Sequence, residues 1–215
     1  MTYSKYFIVP LSNNNPIKRM MTTIRNARKD DASQIATLIM TAMTEECCAY
    51  FHGSSHTKED FHKLITRLVS EENTQYSYQN TICAVHDDDI IGIGDNNRVI
   101  GISVSYDGAL LHSLRQTFID GAKQAFDRDF SDMADETAPG ELYLDSLAVL
   151  PSYQHQGIAT RLLKATKEKA LEMNLPLGLL VDANNPKAEK LYTETGFKYI
   201  DANTWGGHEM KHLLW

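Results

Sequence analysis

The apolar residues of the chain follow two periods, and the switches between them mark out the elements. Ile35, Leu38, Ile39, Ala42 and Met43 recur at helical spacing. In front of them Asp31-Ala32-Ser33-Gln34 has the form of a capping box. Phe61, Leu64, Ile65, Leu68 and Val69 make a second stripe behind Thr57-Lys58-Glu59-Asp60. Leu111, Leu114, Phe118, Ala122, Ala125 and Phe126 make a third within residues 109–130. Stripes of this kind are core faces. Strands are expected from Thr22 to Ala27, near 81–86 and near 98–106. The last two are joined by the turn-forming Gly92-Ile93-Gly94-Asp95-Asn96-Asn97. Those glycines do not make a phosphate loop, because no Lys-Ser/Thr follows and no helix starts there.

Downstream, Asp132 to Gly140 is polar and reads as a loop. Glu141 to Val149 reads as a strand, with Glu141, Tyr143 and Asp145 on one face and Leu142 and Leu144 on the other. Ile158 to Met173 is a helix that turns Leu162, Leu163, Thr166, Ala170 and Leu171 to the sheet. Leu177 to Val181 is continuously apolar, as a strand covered on both faces is. Asn184-Asn185-Pro186 opens a short helix and Gly196 ends it. Phe197 to Ile200 and about His208 to Leu213 are the last strands. Strands and helices alternate, so the class is α/β (α+β), a mixed sheet with helices on both faces.

The composition narrows the partners. The 215 residues suit one domain over 22–215, with 1–21 as an extension ahead of it; Met20 or Met21 is an alternative start. A formal charge of −7 argues against nucleic acid, whose phosphates need a basic surface. Cys47, Cys48 and Cys83 form no framework, which suggests a reducing compartment. Cys83 sits in an apolar run, and the cysteine pair has no partner base close in sequence, so neither makes a good nucleophile. No apolar run approaches the roughly twenty residues that cross a bilayer, and Tyr6 to Leu11 is too short for a signal segment. A cytoplasmic protein with no membrane partner is the expectation.

Two motifs carry chemistry. Leu147-Ala148-Val149-Leu150-Pro151-Ser152-Tyr153-Gln154-His155-Gln156-Gly157-Ile158-Ala159-Thr160-Arg161 reads as strand, loop and helix start, with Gln-x-x-Gly-x-Ala in the loop. Such a turn leaves N–H groups unpaired at a helix N-terminus, where the dipole favours an anion. Some thirty residues on comes Asn185-Pro186-Lys187-Ala188-Glu189-Lys190-Leu191-Tyr192-Thr193-Glu194-Thr195-Gly196-Phe197. Together, in this order and spacing, the two resemble the GNAT superfamily of acyl-CoA-dependent N-acyltransferases. The specific resemblance covers Glu141 to about Ile200, and a weaker one begins near Thr22.

The resemblance implies a GNAT-like sheet, acetyl-CoA as cosubstrate and no metal. It places the pantetheine arm on the backbone of Leu147, Ala148 and Val149. It places the pyrophosphate on Gln154, His155, Gln156, Gly157, Ile158, Ala159 and Thr160, with Arg161 in reach of a phosphate. Asn185 matches a cofactor-contacting position, and a helix N-cap as well. Tyr192 matches the tyrosine that protonates the departing thiolate. A glutamate that serves some members as base falls here on Leu180, which cannot act. Asp145 is the first choice for base, directly or through water, or as a seat for a cationic amine, and Glu141 the second; a structural hydrogen-bond role for Asp145 stays open. Residues 107–140 are an insertion against the family minimum, and they cover the site or serve packing or a dimer contact. His208-Glu209-Met210-Lys211-His212 fits the zincin pattern, but that pattern needs a helix and a third ligand. The glycines ahead of it favour a terminal strand whose histidines line the acceptor cleft or face solvent. The expected activity is direct transfer of an acetyl group to a primary amine, on a small molecule or a peptide. The rivals are an acyl-CoA sensor without turnover and a protein N-terminal or lysine acetyltransferase. Dimers are common in the family.

Overall fold

The structure, a computed structural model, describes residues 22–87 and 97–215. The expected extension at 1–21 and nearly all of the Gly92–Asn97 turn lie outside these. The elements run β1 (Thr22–Asn26), α1 (Ala32–His52), α2 (Lys58–Ser70), β2 (Thr81–Asp87), β3 (Asn97–Asp107), α3 (Leu111–Phe126), β4 (Leu142–Val149), α4 (Ile158–Met173), β5 (Leu177–Asp182), α5 (Pro186–Glu194), β6 (Lys198–Trp205) and β7 (His208–Leu214). They form one mixed sheet in the order β1-β2-β3-β4-β5-β7-β6. Every neighbouring pair is antiparallel except β4 and β5, which the α4 crossover makes parallel. No helix among the described residues is long and apolar enough to cross a membrane.

The stripes explain the layers. Ile35, Leu38 and Ile39 of α1, Phe61, Leu64, Ile65 and Leu68 of α2, and Phe118, Ala122 and Phe126 of α3 pack with Cys83, Ile102 and Val104 on one face of the sheet. On the other face Ile158 and Leu162 of α4 meet Ile82, Ala84 and Ile100, and Leu163 and Ala170 meet Leu142, Leu144 and Leu179. Three stripe residues are misplaced by simple periodicity. Ala42 and Ala125 are exposed and Leu171 is 63% exposed, because each lies at the margin of a stripe narrower than the sequence suggests.

Three local features differ from expectation. The box at Asp31 is not formed by Gln34. The Asp31 carboxylate accepts from Arg25 Nη1 and Nη2 at 2.7 and 2.9 Å and from the Arg28 N–H at 2.7 Å, while Gln34 Oε1 accepts from the Val99 N–H at 2.9 Å and ties α1 to β3. Thr57 and Asp60 do form a reciprocal cap on α2. Within α1, Thr44 has φ 70° and ψ 158°, so the helix breaks there, and the Thr44 hydroxyl accepts from the Cys47 N–H at 3.4 Å as the second part begins. The last hairpin is longer than expected, with β6 reaching Trp205.

Candidate active site

The parallel pair at the centre opens the site. Only Leu142↔Leu177 and Tyr143↔Gly178 are in register between β4 and β5; beyond them the strands part. The Leu150 N–H donates to the Ile100 carbonyl at 2.8 Å. Alternation along an antiparallel ladder therefore commits Ala148 to β3 and turns the polar backbone of Leu147 and Val149 toward the cleft. Of the three residues expected to line it by backbone, Ala148 is thus the exception. The Val149 carbonyl is held by Gln154 Nε2 at 3.0 Å, which closes the loop back on the strand.

That loop delivers α4. The first helical bond runs from the Arg161 N–H to the Gly157 carbonyl at 3.1 Å. Among the described residues no N–H of His155 to Thr160 finds an acceptor inside the chain. Gly157 stands at the N-cap with φ 75° and His155 has φ 60°. The glycine is required by this left-handed turn, since a Cβ built on it would meet nothing. Arg161 does not point to this cradle: its Nη2 donates to the Thr22 carbonyl at 2.8 Å, which anchors β1.

On the other side, Asn185 caps α5 by accepting from the Ala188 N–H at 3.1 Å, which leaves its amide donors free of that task. Tyr192, two turns on, is half-buried and packs edge-on to Phe197 at 5.7 Å. Burial pushes its phenol up to about 12, so it keeps its proton at neutral pH.

Asp145 owes its position to a bulge. Val104 pairs with Ser146 and Ser105 with Leu144, so Asp145 has no partner across the ladder. The bulge sends Leu147 and Val149 to the α4 side with Leu142 and Leu144, and leaves Asp145 on the α1–α3 side with Tyr143. Burial pushes the Asp145 carboxyl up to about 6. The Ser146 hydroxyl donating at 2.7 Å, the Gln75 amide donating at 3.5 Å, the Arg115 charge and the Tyr106 phenol oppose that rise. Tyr143 stands among the candidates: burial raises its phenol, and the charges of Asp145 and Glu141 and then Tyr192 raise it further.

Glu141 is not part of this group. It precedes β4, buried at the end of the cleft where the strands still pair. Its Oε1 accepts from the Thr137 hydroxyl at 2.5 Å and its Oε2 lies 2.9 Å from His212 Nε2, while His212 Nδ1 meets Asp201 at 3.1 Å. The carboxylate fills the space over Gly178 that a Cβ would need. Glu141 lies four residues before Asp145, roughly 13 Å of strand rise. His208 and His212 lie on strand β7, not on a helix, and His208 pairs with Asp182 at 3.2 Å. Among the described residues no group of three or more His, Cys, Asp or Glu side chains is placed for a metal ion.

The segment 107–140 holds residues that the sequence did not single out. Arg115 is buried on the apolar stripe of α3, where it binds Glu136, Asp135 Oδ1 at 3.0 Å and the Met133 carbonyl at 3.1 Å. Glu136 in turn accepts from the Tyr106 hydroxyl at 3.0 Å. A charged residue at 115, between Leu111 and Phe118, was the available signal; Gln75 and Tyr76, in a loop without periodicity, carried none. Cys47 faces the same region, but burial, then Cys48 and Asp145, push its thiol up to about 12, so it holds almost no thiolate.

The sequence profile of the Acetyltransferase (GNAT) family matches residues 40–197. A solved acetyltransferase is 27% identical with a TM-score of 0.70, over 89% of this chain and 97% of its own. An N-acetyltransferase from Staphylococcus aureus Mu50 is 23% identical with a TM-score of 0.69, over 90% of this chain and 100% of its own. Arabidopsis thaliana NAA60, solved in complex with acetyl-CoA, is 17% identical with a TM-score of 0.51, over 91% of this chain and 98% of its own. No curated protein matches the chain by sequence.

Proposed function

The chain belongs to the GNAT family of acetyltransferases, and on that premise we propose that it moves the acetyl group of acetyl-CoA to a primary amine by direct attack within a ternary complex. One observation carries the reading. β4 and β5 part beyond Tyr143 and Gly178, and the unpaired N–H groups of residues 155–160 stand where β4 runs out. Acetyl-CoA, the ligand of the Arabidopsis neighbour, supplies an acyl group on a thiol that leaves readily. The helix end fits its pyrophosphate, with aligned donors and a positive dipole and no side chain at Gly157. Leu147 and Val149 would pair by backbone with the pantetheine arm, and Asn185 would offer its amide.

Asp145 takes a proton from the acceptor ammonium. The freed nitrogen attacks the thioester carbon, and a cleft-facing N–H of Leu147 or Val149 stabilises the oxygen as it gains charge. As the C–S bond breaks, Tyr192 donates its proton to the sulfur and regains one from the nitrogen through solvent, so that the amide and the thiol both leave neutral while Asp145 keeps the first proton. Glu141 has no role in this scheme, its carboxylate being held by Thr137 and His212.

Two measurements test the reading. Calorimetric titration with acetyl-CoA should give binding to the native protein and none to Gly157→Glu. There the side chain adds charge against a phosphate and must adopt a left-handed conformation costing about 1–2 kcal/mol. Tyr192→Phe should keep the acetyl-CoA affinity and lose about 10²-fold in kcat. That is the low end for a general acid, because a thiol with a pKa of ~8.5 leaves with partial help. A Tyr192→Phe rate equal to the native rate would remove the tyrosine from the mechanism.

A further inference from the structure

We infer that the acceptor enters as a primary ammonium seated between Asp145 and the hydroxyls of Tyr76 and Tyr143, with Gln75 holding the carboxylate in place, and that amines carrying an adjacent carboxylate are rejected. This rests on the acetyl-transfer reading above and names the substrate class for it.

Tyr76 and Tyr143 are 4% and 5% exposed. Neither hydroxyl has a hydrogen-bond partner among the described residues, and neither is fully sealed from solvent. Buried hydroxyls normally find partners inside the protein. Two that instead keep an opening, around one carboxylate, leave oxygen lone pairs that a ligand's donors can reach. Gln75, which reaches Asp145, is the chain neighbour of Tyr76, and Tyr143 lies two residues before Asp145 with its ring 5.8 Å from that of Tyr106, so the four groups form one cluster.

Gln75 fixes the carboxylate. It is 5% exposed, and its amide must present Nε2 to Asp145 Oδ2, since a carboxylate only accepts. Ser146 holds the other oxygen at 2.7 Å. One carboxylate oxygen with a lone pair to spare and the two phenol oxygens match the three donors of an ammonium. Tyrosine rings around the seat favour a cation further.

The same cluster disfavours acids. Arg115 is the cation among the described residues whose charge reaches these groups; its Nη groups are taken up by Glu136, Asp135 and Met133, and two carboxylates already offset its charge, although its buried Nε–H finds no acceptor among the described residues. An α-carboxylate would be brought close to Asp145 in a poorly solvated space with no free positive charge to meet it.

The test compares amines that differ only in that carboxylate: pentylamine against norleucine, and 2-phenylethylamine against phenylalanine, with acetyl-CoA binding measured on the same preparation. The amines should exceed the amino acids by at least ~10-fold in kcat/KM. Tyr76→Phe and Tyr143→Phe, which remove one oxygen each, should raise the amine KM about 10-fold, in keeping with a lost hydrogen bond to a charged group. Their acetyl-CoA affinity and urea midpoint should stay native. Amino acids turned over as well as the amines, or no amine turned over by protein that binds acetyl-CoA, would overturn the inference while the cofactor reading stands. Failure to bind acetyl-CoA would bring down both.

Discussion

Asp145→Asn should lose about 10³-fold in kcat/KM, within the 10²–10⁴ range of general acid–base catalysis, and gain stability at the same time. The asparagine is isosteric, and its carbonyl still accepts from Ser146. Its amide would face Gln75, whose side chain can turn its own carbonyl to meet it. What disappears is a charge that burial disfavours. In the native enzyme kcat/KM should rise with pH through about 6, as the Asp145 carboxyl ionises, and level off above it. Stability should run the other way. The unfolded chain releases this proton at pH ~3.9, the folded one only at about 6. Between those values the native state binds more protons, so this residue's contribution falls as pH rises from roughly 4 to 6. The Asp145→Asn variant has no such dependence. At pH 7 each kcal/mol gained would raise Tm by about 2–4 °C for a chain of this size. Calorimetric scans at pH 4 and pH 7, beside initial rates, read both effects. An active Asp145→Asn enzyme would remove the base from the scheme, and a less stable one would mean the carboxylate is chiefly structural.

The same residue shows how far the sequence could be read. Its place on a strand, on the face opposite Leu142 and Leu144, follows from period-2 alternation, and so does the α4 loop from its glycine and helix start. The bulge does not. Strict alternation would put Leu147 and Val149 with Asp145, and one unpaired residue reverses them, a shift that leaves no trace in an unbroken run of strand-forming residues. Long-range pairing is equally silent. Glu141 and Asp145 look equivalent along the strand, but Glu141 is claimed by Thr137, His212 and the bare Cα of Gly178, three partners scattered along the sequence. Asp31 reads as half of a local cap until Arg25 is found beside it. Local propensity and periodicity found the elements; partners brought together by the sheet set what each polar side chain does.

Arg115 carries the second large effect. Arg115→Ala should cost about 3–5 kcal/mol, the range for breaking a buried ion pair from one side. Both Arg115 and Glu136 are nearly fully buried, at 3% and 6% exposed, so removing the guanidinium strands a carboxylate away from water. Asp135 is half-exposed and can be rehydrated, so the loss concentrates on Glu136. Replacing both partners by apolar residues, Arg115→Met with Glu136→Leu, should restore most of the stability, because no buried charge is then left without its partner. Urea unfolding at constant m distinguishes the two outcomes, and the Arg115→Ala loss should depend little on salt, since the pair is shielded from it. The double variant has a further use. Tyr106 donates to Glu136 and feels the charge of Asp145, so the pair lies between the 107–140 segment and the proposed base. If the insertion serves the site, the repaired protein should be stable but slower. If the insertion only packs, stability and rate should recover together.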